Sequence, residues 1–455
     1  MPAPLPFDDF REQLSRARAE DFGSRPLGLA APAAARAAVD DATGAFERWK
    51  KATLDGYSRA VVDRTFVDAG DLPIDCVRLD TQPALAAPAG AEVAKPPAFE
   101  GLSAGRARRG SARAALGEGR KDRYGVEAYC PPGFVPVLRP SLDRVRAAGG
   151  PAVFFQKAPD GGQHPSLGNG RDAVPGDTAR AAAAQDLPLP RVPVGSATHL
   201  YAHAFQDVKN GGGQSWMNLW NPDPAPGVFS LSQQWWTAGA GGGLQTVESG
   251  WHVFPQLYNG DRTTRLFVFF TNNGYQAGAT GWPTGSAYNL NQVPGLGGFV
   301  QTDNTWVIGG SFAASQPGGD QQGFLMGWRL DAATGNWWLY LQAGGDAVPV
   351  GYYPGAVFRG GALMRGATRV DFGGEMCSQN NGRQTGQMGS GRPASAGWQY
   401  AAYQGAIAYV PAGGGALTPA TLIADQQDAP AYTIDLHNNE GGQTYFYFGG
   451  PGAQW

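Results

Sequence analysis

The chain has 455 residues, enough for about three domains and a large buried core. Charged residues make up 16% against a usual share of about 25%, and the formal net charge is −3, so nothing directs the chain to nucleic acid or to an anionic membrane surface. No run approaches the roughly 18 apolar residues of a spanning helix, the 68 glycines lack the G-x-y period of collagen, and 13 Trp with 22 Phe argue against disorder; what remains is a turn-rich, aromatic-rich protein most easily built as all-β.

In chain order, residues 1–60 read as a helical segment, with Ala, Arg, Glu and Leu in DFREQLSRARAEDF and AAARAAVDDATGAFERWKKATLDGY. The first residues carry acids where a secretory signal has a basic end followed by an apolar run, so no export signal is expected in this stretch. IDCVRLDTQPAL (Ile74–Leu85) alternates as a strand does. Residues 86–123 are Ala/Pro/Gly-rich, with an arginine cluster at Arg106, Arg108, Arg109, Arg113, Arg120 and Arg123, and read as a connection. A short element follows in GFVPVLRPSLDRVRAAGG, and residues 158–195 read as a long linker.

Composition breaks near residue 190. Twelve of the 13 tryptophans follow residue 215, the last lysine is Lys209, and only three glutamates (Glu248, Glu375 and Glu440) lie beyond residue 190. From about residue 197 the chain becomes short runs rich in Val, Phe, Tyr, Trp and Thr, separated by turn signals such as YNGD, TNNG, DAATGN and HNNEGG. A dozen or more such runs without a long helix predict an antiparallel two-sheet β-sandwich, preceded by a smaller α+β region.

Glu440 sits in a turn, but Glu248 and Glu375 lie in strand-like segments, TVESGWHV and RVDFGGEMC, beside glycine and large apolar groups. In an extended chain Glu248 shares a face with Thr246, Gly250 and His252, and Glu375 with Gly373, Asp371 and Arg369. Two carboxyls in unlike settings can hold one charge and one proton, which general acid–base hydrolysis requires. On composition alone the plainer reading is that each satisfies a local hydrogen bond or ion pair.

FSLSQQW (229–235), VESGWHVFPQLYNGDRTTRLFVFFTNNGYQ (247–276), GNWWL (335–339), VGYYP (350–354), FGGE (372–375), TGQMGSG (385–391) and YFYFGGPG (445–452) together resemble the neprosin family of glutamic peptidases, in order and spacing. IDCVRLDTQPAL and CPPGFVPVLRPSLDRV resemble that family's activation domain. The resemblance implies a peptidase domain over 196–455 and an activation (pro) domain over 61–157, with Glu248 and Glu375 as the catalytic pair. It also implies cleavage at proline, manufacture as a zymogen with the pro-region as intramolecular inhibitor, peptide or protein substrates, and secretion. An acidic optimum is expected, because a carboxyl stays protonated at neutral pH only if burial raises its pKa. No metal or other cofactor is expected, and no nucleic-acid or membrane partner. An apolar pocket for a proline ring would draw on Trp235, Trp251 and Tyr275, while Gln233 and Gln387 are candidates for hydrogen bonds to substrate.

Cys76 and Cys130 fall in the activation region, where a bridge between them is open; Cys377 is the one cysteine beyond residue 130, so no disulfide is expected inside the peptidase domain. GLSAG (Gly101–Gly105) fits a nucleophile-elbow pattern but lacks a preceding strand. His199 and His203, four apart, face one side of a strand, where packing or hydrogen bonding is the plainer role. A carbohydrate-binding or glycoside-hydrolysing sandwich using the same two acids is the competing reading. A non-enzymatic binding protein with structural glutamates is the second.

Overall fold

The computed structural model describes residues 4–18, 33–68, 70–86, 92–97, 121–140, 142, 145, 198–224, 228–258, 260–275, 285–293, 295–378, 386–426 and 431–452. GLSAG and the 158–195 linker lie outside the described residues.

Two helices open the chain, α1 (Phe7–Arg16) and α2 (Ala33–Tyr57). Asp8 and Asp9 occupy the first turn of α1, where the helix dipole favours negative charge, and Phe10 and Leu14, four apart, form its buried stripe. Three antiparallel strands follow in the order β1 (Val62–Val67), β2 (Pro73–Arg78), β3 (Phe134–Leu138). A disulfide joins Cys76 on β2 to Cys130, with Cα atoms 5.3 Å apart, and Arg139 is ion-paired with fully buried Asp75. The bridge left open by the sequence is therefore formed.

Among the described residues from Thr198 on, strands are joined by turns and short 3-10 segments such as Gly355–Phe358. The strands are β4 (Thr198–Asn218), β5 (Val228–Ala238), β6 (Gln245–Val253), β7 (Arg265–Thr271), β8 (Ser286–Tyr288), β9 (Val300–Gln301), β10 (Gly323–Asp331) and β11 (Asn336–Gln342). After them come β12 (Val348–Tyr353), β13 (Ala367–Ser378), β14 (Ala402–Pro411), β15 (Thr418–Pro419), β16 (Ile423–Gln426), β17 (Thr433–Glu440) and β18 (Gln443–Gly449). Turn chemistry sets the hairpins: between β10 and β11, Asp331 accepts from the Ala333 amide and the Thr334 hydroxyl.

Pairing runs β8-β7-β6-β5-β13-β4-β10-β11-β12-β9, all antiparallel. The 21-residue β4 belongs to both layers of the sandwich. Its first half lies between β13 and β16, its second half between β10 and β14. The glycine run Gly211–Gly213 sits at the passage: a Cβ on Gly212 would come within 2.1 Å of the Trp328 carbonyl oxygen, and one on Gly213 within 2.2 Å of that of Ala408. Only glycine lets the flanking strands β10 and β14 approach β4 this closely.

Between the layers lies the main core, with Trp236, Val247, Trp251 and Phe270 from one side and Met326, Trp328, Trp337 and Tyr353 from the other. The N-terminal region caps one edge of this sandwich. Gln82 makes two 2.9 Å hydrogen bonds with the backbone of Gln301 on edge strand β9, and Asp68 pairs with Arg265 of β7. The predicted all-β sandwich with a small α+β region before it is the observed architecture.

Candidate active site

Directly opposed residues of antiparallel strands share a face, as do residues two apart on one strand. On the face of β5, β6 and β13 turned away from the main core, three successive rows can be read from the register. The first is Arg265, His252, Leu231, Glu375 and Tyr201, on β7, β6, β5, β13 and β4. The second is Phe267, Gly250, Gln233, Gly373 and His203, ending at Asp425 on β16. The third is Phe269, Glu248, Trp235, Asp371 and Phe205.

Glu248 and Glu375 therefore lie on one face, diagonally across β5, with Gln233 at the centre of the diagonal. Gln233 is flanked by glycine on both sides. A Cβ on Gly250 would sit 1.9 Å from the Ser232 carbonyl oxygen, and one on Gly373, whose φ is +148°, 2.5 Å from that of Ala202. Side chains are thus excluded next to Gln233, which leaves the middle row low between the two carboxyls.

The two acids meet different partners. Glu375 Oε2 accepts from Gln233 Nε2 at 2.6 Å, and its Oε1 lies 2.7 Å from His199 Nδ1. Glu248 Oε1 accepts from the hydroxyls of Thr246 at 2.7 Å and Tyr275 at 2.5 Å. Burial, with the neighbouring Glu248 charge added, pushes the Tyr275 phenol well above its ordinary pKa, so it stays protonated and donates. Its ring stacks on Phe269 at 6.0 Å.

Beside Glu375 runs an ionic network. Arg369 grips Asp371 through two bonds of 2.8 and 2.9 Å and lies over the Phe205 ring. His203 sits 3.3 Å from both Asp371 and Asp425. Burial opposes ionisation of Asp371, but the Arg369 charge and the bonds to His203 and Arg369 hold it far below the usual carboxylate range. Burial likewise opposes protonation of His203, yet hydrogen bonds to the two aspartates raise its pKa.

Both glutamates and Gln233 are buried in this state. The N-terminal region packs on this same face: Phe10 and Leu14 of α1 and Phe46 and Trp49 of α2 form one apolar cluster with Phe229 and Leu231 of β5 and Phe267 and Phe269 of β7.

Gln233, Trp235 and Tyr275 thus share the face of the two glutamates. Two other sequence candidates do not. Trp251 alternates to the opposite face, where its ring fills the main core and its indole N–H donates to the Asn218 carbonyl at 2.9 Å. Gln387 is tied to the Asp223 backbone through its own amide N–H and its side-chain oxygen, outside the three rows. Sequence reasoning passed over His199 as a partner of Glu375; the signal was its alternation with Tyr201 and His203.

Residues 226–451 match the family model described as Neprosin. Two solved structures of scytalido-glutamic peptidase, each with a transition-state analogue, resemble the chain at 10% and 9% identity. Each likeness covers 55% of this chain and 98% of that one, with TM-scores of 0.28 and 0.25. Through residues 226–451 the chain belongs to the neprosin family of glutamic peptidases.

Proposed function

We propose that this peptidase is an endopeptidase that uses Glu248 and Glu375 to hydrolyse peptide bonds in acid, cleaves at proline, and is made as a zymogen. The observation that supports this most is the placement of the two acids on one face, in unlike settings, on either side of the low Gln233 row. In the reaction one ionised glutamate takes a proton from water as the water oxygen bonds to the scissile carbonyl carbon. The other, protonated, gives its proton to the departing nitrogen as the C–N bond breaks, and exchange with solvent restores the starting states. Gln233 Nε2, which donates one N–H to Glu375, gives its second N–H to the oxyanion that forms between these steps.

The rings of Trp235, Phe269 and Tyr275 around Glu248 offer an apolar seat for a proline ring. The zymogen reading is supported by the apolar cover of α1 and α2 over the catalytic face. The ion pair of Asp68 with buried Arg265 of β7 ties the N-terminal region to the sheet that carries the acids, a contact that release of the cover has to break.

The test is to incubate the full chain and its Glu248→Gln and Glu375→Gln variants with a Pro-containing peptide at about pH 4 and about pH 7, following peptide and chain fragments by mass spectrometry. Wild type should cut the peptide and shorten itself only in acid, and both folded variants should do neither. Cleavage surviving both substitutions rejects the assignment, and an active chain that never shortens rejects the zymogen reading.

A further inference from the structure

The two glutamates have the same intrinsic chemistry, so their division of labour must come from their neighbours. At Glu375 both carboxyl oxygens face nitrogen: Gln233 Nε2 on one, His199 Nδ1 on the other. An amide N–H only donates, which favours the ionised, acceptor-only form of the acid. Imidazole binds a proton about two pH units more tightly than a carboxylate does, so a proton held between His199 and Glu375 belongs to the ring. His199 is fixed for this role, stacked on Tyr201 at 6.2 Å and meeting Phe229 edge-on at 6.3 Å. Its side chain is 3% exposed and that of Glu375 1%, so the charges act through little water.

We propose that His199 is a positioning residue for Glu375: its protonated ring, held 2.7 Å from the carboxylate, keeps Glu375 an ionised base in acid and leaves Glu248 to carry the proton. This rests on the two-glutamate reading above and adds to it a residue and an order of roles. The partners seen at Glu248 are hydroxyls, which donate to a carboxylate or accept from a carboxyl and so permit the protonated form.

Other titratable groups face this pair from each neighbouring strand. On β4 they are Tyr201, opposite Glu375, and His203; on β13, Asp371 and Arg369; on β16, Asp425. Arg369 lies between Asp371 and, at 3.7 Å, Asp207 of β4, and His203 lies between Asp371 and Asp425, so each cation of this network is held by its own aspartates. On β6 they are Glu248 itself and His252, whose Nε2 is 2.7 Å from the Tyr258 hydroxyl. His199 itself comes to 2.7 Å from the Glu375 carboxylate, within hydrogen-bond reach.

The experiment is the pH profile of kcat/KM for the full chain after acid incubation to constant activity, in wild type, His199→Asn and Glu375→Gln. Asparagine keeps an N–H near the Nδ1 position and removes the charge. An adjacent opposite charge lowers a carboxyl pKa by about one to three units, so His199→Asn should raise the acid limb by about one pH unit or more, with KM within about twofold of wild type. An acid limb that coincides with wild type overturns the role of His199. Glu375→Gln separates the two claims: if it cleaves like wild type, the two-glutamate reading falls, whereas if it is inactive and the His199→Asn limb is unmoved, only the positioning role falls. Should His199→Asn not fold, His199→Gln carries the same neutral amide and is read the same way.

Discussion

On β5, β6 and β13, residues that alternate along each strand go to two chemically different places. One face feeds Trp236, Val247, Trp251 and Phe372 into the core between the layers, where buried polar side chains such as Gln234 and Ser249 accept from the indole N–H groups of Trp236 and Trp328. The other face, on the same backbone, holds Glu248, Glu375, Gln233 and Asp371, next to the apolar cluster that β5 and β7 share with α1 and α2. The pairing that makes the sandwich stable therefore also sets the spacing of the acids. The lesson is that burial here has two meanings: packing on one face, and storage of polar groups on the other.

The sharpest way to break that comparison is to neutralise the acids. Glu248→Gln and Glu375→Gln should each lower kcat/KM by about three orders of magnitude, with both variants folded; thermal unfolding should fall further in Glu375→Gln, which leaves the buried His199 ring without its charged partner. On the core face the result should invert. Trp251→Ala should cost about 3–5 kcal/mol in chemical denaturation, and the fraction that remains folded should cleave with an unchanged pH optimum. Gln233→Ala lies at the centre of the polar face and should lower kcat by about a hundredfold with little change in KM, measured under saturating peptide.

The smallest effect concerns the His203 network. Because the folded state raises the pKa of His203, its stabilising contribution is fully present below the unfolded value of about 6.5 and is lost as pH rises through the raised one. Asp371, held low by Arg369, contributes above its unfolded value of about 3.9 and loses that contribution only as pH falls toward its depressed pKa. Together they favour the folded protein across the acid range. The decline of Tm on raising pH from about 6 to 8 should be shallower in His203→Asn than in wild type.

Much of this was legible in the sequence. Period-two alternation put Glu248 on the face of Thr246 and His252, and Glu375 on that of Asp371 and Arg369, as the register bears out. The same alternation turns Trp251 away from Glu248, and its ring lies in the core. What could not be read is which strands are neighbours: β4 and β13 pair across some 170 residues, and only that pairing brings His199 to Glu375. Tyr275 reaches Glu248 from a turn with φ +61°, where no strand or helix period applies. The cover by α1 and α2 depends on tertiary docking of faces that, in sequence, are merely amphipathic.

The most direct measurement is a crystal structure of the Glu375→Gln protein, freed of its N-terminal cover by active wild type, with a Pro-containing peptide bound. The account predicts the scissile carbonyl over Gln233, with Glu248 and the substituted side chain each within hydrogen-bond reach of it or of one intervening water. A peptide bound elsewhere, or lying over Gln233 with either side chain out of reach, would contradict it.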